Sequence, residues 1–151
     1  MLSFFLLVCS ELDFLIIIEV GCPMFYRKML KSKIHRAQVT HADLEYEGSI
    51  TIAPELLAAA DILPNEAVNV WNVTAGTRFE TYAIAGEKNS TSICVNGAAA
   101  HLVTPGDIII IASFIQIQEE FCHQHKPIVI FVDERNQLKE VRPEIIGCQP
   151  A

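Results

Sequence analysis

Turn signals recur along this chain at short intervals, and the segments between them are too brief for anything but strands and single helical turns. Leu63-Pro64-Asn65, Thr74-Ala75-Gly76-Thr77, Gly86 to Thr91 and Pro105-Gly106-Asp107 are rich in residues that favour turns. Gly tolerates φ > 0, Pro presets φ, and Asn or Thr side chains bond their own backbone. Between these breaks lie β-type runs. Lys31 to Thr40 alternates loosely and reads as a first strand, with Lys33 and His35 on one face because strand side chains repeat every two residues. Ser49 to Ile52, Ala67 to Val73, Arg78 to Ala85, Ser92 to Val95, Ile108 to Ile117 and Pro127 to Val132 read as further strands. Ile108 to Ile117 is apolar enough to be buried on both faces. Pro54 to Asp61 reads as a short helix, with proline in its first turn and Glu55 beside it. Gln118 to Lys126 reads as a helical turn, and the polar stretch from Asp133 onward as a mobile tail.

Short strands joined by tight turns imply a mainly β chain and a small barrel, although this pattern does not derive the barrel's topology. In the strand from Arg78 to Ala85, period two puts Arg78, Glu80 and Tyr82 on one face. Thr81 falls on the other, unless a bulge re-aims it.

Length and composition narrow the function. With 151 residues the chain is one domain with room for a core. A net charge of −7 disfavours nucleic acid as a partner. Five cysteines, an odd number without CxxC spacing, read as reduced thiols of a cytoplasmic protein rather than a disulfide framework. Cys122-His123-Gln124-His125 holds zinc-type ligands, but such close spacing is awkward and no second cluster accompanies it. A solvated polar turn is the better reading there, and no metal is expected. Residues 1–23 are very apolar yet interrupted by Glu11, Asp13 and Glu19 and lack a basic start, so they fit neither a signal peptide nor a membrane span. They are expected to be an extension ahead of a natural start at Met24. The domain then covers 24–133, with 134–151 as a polar tail.

The chemistry centres on Tyr46-Glu47-Gly48-Ser49. A Gly-Ser pair alone is an ordinary turn. Here it follows KSKIHRAQVTHADL and precedes WNVTAGTRFETYAI, SICVNGAAAH and PGDIIIIASF. The ordered motifs YEGS, WNV, RFETYAI and VNGAAAH, from about Met29 to about Asp133, closely resemble the pyruvoyl-dependent L-aspartate 1-decarboxylases. That resemblance implies a six-stranded double-psi β-barrel with short helices. It also implies a homotetramer with sites between neighbouring subunits, and a lyase that makes β-alanine for pantothenate. It is compatible with a helper protein in maturation.

The resemblance further implies that the zymogen cuts itself between Gly48 and Ser49. The Ser49 hydroxyl attacks the Gly48 carbonyl, the ester eliminates to dehydroalanine, and hydrolysis releases ammonia and leaves a covalent pyruvoyl group at residue 49. A hydroxyl needs placement or activation for such an attack. Gly48 offers an unhindered carbonyl, and the oxyanion needs a donor, a role the resemblance gives to Thr81. L-Aspartate then condenses with the ketone as a Schiff base, which takes the electrons of decarboxylation. By the same resemblance Tyr82 returns the proton, while Arg78 and Lys33 hold the carboxylates, Lys33 being favoured for that of the side chain. Gly97, Ala98 and Ala99 let substrate approach the backbone closely, though as residues alone they also read as a short Ala-rich turn. Asn96 is a polar partner near the reacting carbonyl, and His35 and Tyr46 line the site. Two other readings stay open at this point. One is a non-catalytic barrel module that binds a ligand or partner. The other is a decarboxylase that also accepts glutamate, one methylene longer.

Overall fold

The computed structural model describes residues 24–144, together with the backbone of two short antiparallel strands, β1 (Phe5–Val8) and β2 (Ile16–Glu19). The expected extension therefore lies outside the described residues except for those strands, as does the tail beyond Glu144. The remaining strands are β3 (Tyr26–Gln38), β4 (His41–Asp43), β5 (Ser49–Ile52), β6 (Ala67–Asn72), β7 (Arg78–Ala85), β8 (Cys94–Asn96), β9 (Ile108–Gln118), β10 (Ile128–Val132) and β11 (Leu138–Val141). One helix, α1 (Pro54–Ala59), and two 3₁₀ turns, Gly97–Leu102 and Glu119–Gln124, complete the described chain. The protein is mainly β with few short helices.

Strands β3 to β11 form one sheet in the order β11-β10-β3-β9-β6-β7-β5-β8-β4. Five strands separate β3 from β4 in this order, yet only Val39 and Thr40 connect them. In a flat sheet that separation would be about 29 Å, whereas three Cα steps reach at most about 11 Å. The far edge must therefore curl back beside β3, as in a barrel. The Val39 N–H bonds to the Asp107 carbonyl at 2.9 Å and the Thr40 N–H to the Ile93 carbonyl at 2.8 Å, sealing the seam. Inside, Ile34, Ile50, Ile52, Val68, Val70, Ile93, Val95, Ile109, Ile111 and Ile130 are fully buried. These β-branched side chains suit a pleated surface packed on one face. Helix α1 adds Leu56 and Leu57 to the same core.

Two expectations need correction. β9 is not buried on both faces throughout. Its first half pairs with β3 and β6, whereas β6 reaches only from Ile109 to Ala112, so the second half pairs with Tyr26–Leu30 of β3 alone. This two-stranded arm extends beyond the neighbouring strand, and Ile115 on it is exposed, as are Met24, Phe25 and Tyr26. The stretch after Asp133 is also not a loose tail. β10 and β11 form a hairpin whose turn buries Asn136. The Asn136 side chain accepts from the Gln38 N–H at 2.7 Å and donates to the Gln38 and Thr91 carbonyls at 2.8 and 2.9 Å. Every residue of β11 is exposed, which is why its composition reads as polar tail.

Candidate active site

Two short pairings on β8 shape the segment around Gly48. β4 runs parallel to β8 with Asp43 opposite Asn96, and β5 runs antiparallel to it with Ser49 opposite Asn96. The chain thus leaves Asn96 at Asp43, loops through Leu44–Gly48, and returns to the same residue at Ser49. The loop lies against Gly97, whose φ is +62°. A Cβ on Gly97 would stand 2.8 Å from the Gly48 Cα, 2.9 Å from its nitrogen and 3.0 Å from the Tyr46 carbonyl oxygen. Only glycine fits there. A Cβ on Gly48, by contrast, would meet no neighbour within 4 Å. Packing therefore does not demand glycine at position 48.

Ser49 is fully buried at the start of β5. The Asn96 Nδ2 donates to Ser49 Oγ at 2.8 Å and to Thr51 Oγ1 at 3.0 Å. The Cys94 thiol in turn donates to Asn96 Oδ1 at 3.1 Å. Cys94 and Thr51 were missed as neighbours of this group. Both lie two residues from a recognised one, Asn96 or Ser49, so period two was the available signal.

β7 brings its residues to the site by register. Ile50 pairs with Ala83 in parallel, and the residues one step earlier on each strand are Ser49 and Tyr82. Arg78, Glu80 and Tyr82 share the exposed face, while Phe79 and Thr81 are half-buried and Ala83 is buried. Thr81 therefore does face away from Tyr82, with no bulge in its pairing to β6. Arg78 stands four residues from Tyr82, about 13 Å along the strand, and packs over the Trp71 ring at 5.7 Å. Of the 3₁₀ turn, Gly97 is buried, Ala98 exposed and Ala99 half-buried. Asn72 holds the β6–β7 turn by accepting from the Thr74 and Ala75 N–H groups and donating to Asp107 at 2.6 Å.

Lys33 and His35 lie elsewhere in the same chain. Lys33 pairs with Ala112, which pairs with Asn69, which pairs with Glu80, so roughly 14 Å of sheet separates it from β7. Lys33 is buried, and its ammonium contacts the Glu144 carboxylate. Burial holds its pKa below the usual lysine range. His35 sets its ring edge-on to Phe131 at 5.0 Å, with a buried Nδ1 that has no partner among the described residues. Burial, and then the charges of Lys33, Arg36 and Arg142, push its pKa down. It lines a cleft of about 400 Å³ with Arg36, Lys139, Glu140 and Arg142. One chain thus gathers the Tyr46 backbone, Gly48, Ser49, Tyr82, Asn96 and Gly97, with Thr81 on the opposite face of β7, and leaves Arg78, Lys33 and His35 apart from them.

The Cys-His cluster does not converge. Cys122 donates to the Gln118 carbonyl at 3.5 Å, and His125 Nε2 donates to that of Leu30 at 2.7 Å. Among the described residues no three His, Cys, Asp or Glu side chains are grouped to hold a metal. No helix among them is long and apolar enough to cross a membrane.

Known proteins place this arrangement in a family. The sequence model described as Aspartate decarboxylase matches residues 25–139. Aspartate 1-decarboxylase of Legionella pneumophila (strain Lens) is 78% identical over 126 residues, covering 83% of this chain and 95% of that protein. The protein of the same name from Rhodopirellula baltica is 60% identical over 122 residues, covering 81% and 78%. That from Myxococcus xanthus is 58% identical over 112 residues, covering 74% and 86%. The chain belongs to the aspartate decarboxylase family.

Proposed function

We propose that this chain cuts itself between Gly48 and Ser49 and then decarboxylates L-aspartate to β-alanine and CO2, supplying pantothenate synthesis. The observation that carries this is the 2.8 Å hydrogen bond from Asn96 to Ser49 Oγ, beside a Gly48 backbone packed on Gly97. In the first step the Ser49 Oγ bonds to the Gly48 carbonyl carbon, and the Gly48–Ser49 C–N bond breaks with protonation of the nitrogen. The Thr81 hydroxyl serves as donor to the oxyanion. Elimination then breaks the Ser49 Cβ–Oγ bond, and water releases the nitrogen as ammonia.

The buried Asn96 amide, aimed at residue 49, suits a carbonyl there as well as a hydroxyl. A pyruvoyl group at that position would supply a ketone electrophile for the substrate amine and an electron sink for decarboxylation. Tyr82, one ladder step from Ser49, holds the proton that returns to the substrate's α-carbon. Arg78 provides a planar fork for one carboxylate and Lys33 a point charge for the other. Lys33 already engages one carboxylate, that of Glu144.

Arg78, Lys33 and His35 stand away from Ser49 within one chain, which supports a homotetramer whose sites lie between neighbours and draw cations from both. The exposed apolar arm, with Phe25, Tyr26 and Ile115, supports the same assembly. The three parallel pairings, β3–β10, β4–β8 and β5–β7, set among antiparallel ones, support a double-psi topology. Free Cys94 and Cys122 favour the cytoplasm.

A denaturing intact-mass measurement tests the reading. Two fragments meeting at Gly48 and Ser49, the larger lighter by one ammonia than a serine-terminated chain, are expected, along with β-alanine from aspartate. A chain that stays whole after warming and leaves aspartate untouched overturns it. Ser49→Ala is expected to abolish both cleavage and turnover.

A further inference from the structure

We infer that Cys94 and Thr51 are positioning residues for self-cleavage: together they lock the Asn96 carboxamide in the one orientation that donates to Ser49 Oγ. This rests on the self-processing reading above. The four side chains form a cross-strand square, since Ser49 pairs with Asn96 and Thr51 with Cys94 on the same face of β5 and β8. Asn96 is almost fully buried, so each polar atom of its amide must find a partner within the protein. Both Nδ2 hydrogens are used, on Ser49 Oγ at 2.8 Å and Thr51 Oγ1 at 3.0 Å, and Oδ1 accepts from the Cys94 thiol at 3.1 Å.

The two hydroxyls alone do not choose between the amide's orientations. Ser49 and Thr51 can donate as well as accept, so a flipped amide would bond both of them through Oδ1. The thiol breaks this symmetry. Sulfur accepts poorly from an N–H, whereas its S–H can donate to a carbonyl oxygen. Burial, reinforced by the Asp43 carboxylate, raises the Cys94 pKa, so the thiol keeps its hydrogen at neutral pH. Oδ1 therefore faces Cys94, and Nδ2 faces the nucleophile.

The orientation matters for the elimination. The Cα proton passes to a general base, its electron pair becomes the Cα–Cβ double bond, the bond from Ser49 Cβ to Oγ breaks, and Oγ departs as one oxygen of the new Gly48 carboxylate. An N–H donor at that oxygen stabilises the charge it acquires. A carbonyl oxygen in the same place would repel it.

The test follows conversion of the freshly made full chain by intact mass at fixed temperature, alongside urea unfolding of each uncut precursor. Cys94→Ala is expected to slow formation of the pyruvoyl-terminated fragment about fivefold, the order of one lost hydrogen bond, with a larger share of chains ending in serine. Cys94→Ser, which keeps a donor, recovers most of the rate, and Thr51→Val slows it less than Cys94→Ala does. In an Asn96→Ala background Cys94→Ala causes no further slowing. Cys94→Val, which fills the space without donating, replaces Cys94→Ala if that variant folds poorly. The inference is overturned if the donor-free variants process at the wild-type rate, if Cys94→Ser is as slow as they are, or if their effect persists without Asn96. Wild-type chains that never yield the ammonia-lighter fragment overturn the parent reading instead, and this inference with it.

Discussion

Gly97→Ala is expected to stall self-cleavage by pushing the scissile segment out of place. The added methyl carbon would sit 2.8 Å from the Gly48 Cα, 2.9 Å from the Gly48 nitrogen and 3.0 Å from the Tyr46 carbonyl oxygen. Ordinary contacts begin near 3.4 Å, so the loop must retreat by about 0.6 Å at its tightest point. Its neighbours there are all backbone, and no side chain can rotate to make room. The left-handed φ of +62° adds a second penalty, about 1–2 kcal/mol for an L-residue with a Cβ. Overpacking adds about 1–3 kcal/mol more. A net loss of about 2–5 kcal/mol follows if the loop holds its place. If the loop yields, stability is partly recovered, but a displacement approaching 1 Å at reacting atoms slows reaction by about 10²-fold. Two measurements separate these outcomes: urea unfolding of the uncut chain, and conversion followed by intact mass. Unchanged stability together with wild-type conversion would refute the claim that Gly97 seats the Gly48 peptide.

Tyr82→Phe should leave cleavage intact but lower aspartate turnover about 10²-fold or more, as expected for a lost general acid; full turnover, measured as β-alanine formed by the cleaved enzyme, would assign the proton to another group. Asn136→Ala removes three hydrogen bonds and puts alanine at a φ of +55°. A loss of about 3–5 kcal/mol in urea unfolding is expected, and a loss under 1 kcal/mol would mean the β10–β11 hairpin does not secure the end of β3. Burial opposes the Glu66 carboxylate, but the Leu63 N–H, Lys31 and Ser113 outweigh it and hold its pKa below the usual glutamate range. The unfolded chain therefore binds this proton more readily than the folded one. Glu66 contributes stability above its unfolded pKa, and that contribution is lost as pH falls through the lower folded pKa. Glu66→Gln should accordingly flatten the acid limb of a stability-versus-pH curve, and curves that stay parallel from neutral pH into that range would contradict the assignment.

What could be read along the chain was local. Period two alone separated Arg78, Glu80 and Tyr82 from Thr81, and the structure keeps that division. Ser49 opens its strand and Pro54 its helix where local chemistry puts them. Local reading failed where burial depends on a distant neighbour. Nothing within Ile108 to Ile117 tells its covered half from its exposed half, because the difference is how far β6 reaches. Polar β11 looked unstructured because its order comes from pairing with β10 and from the Asn136 contacts to Gln38 and Thr91.

The candidate site divides in the same way. The residue types proposed to carry the chemistry, a hydroxyl after an unhindered glycine and a cation set for a dicarboxylate, could be named from the sequence because reactivity belongs to functional groups and motifs record their order. The tertiary structure alone decided which of them meet. It brought Asp43 and Ser49 back to Asn96, pressed Gly97 onto Gly48, and added Cys94 and Thr51 to the group. It also left Lys33 across the sheet from β7. Strand register sets these distances, and register is fixed by pairing between segments remote in sequence, a balance of burial and hydrogen bonding that no short stretch contains.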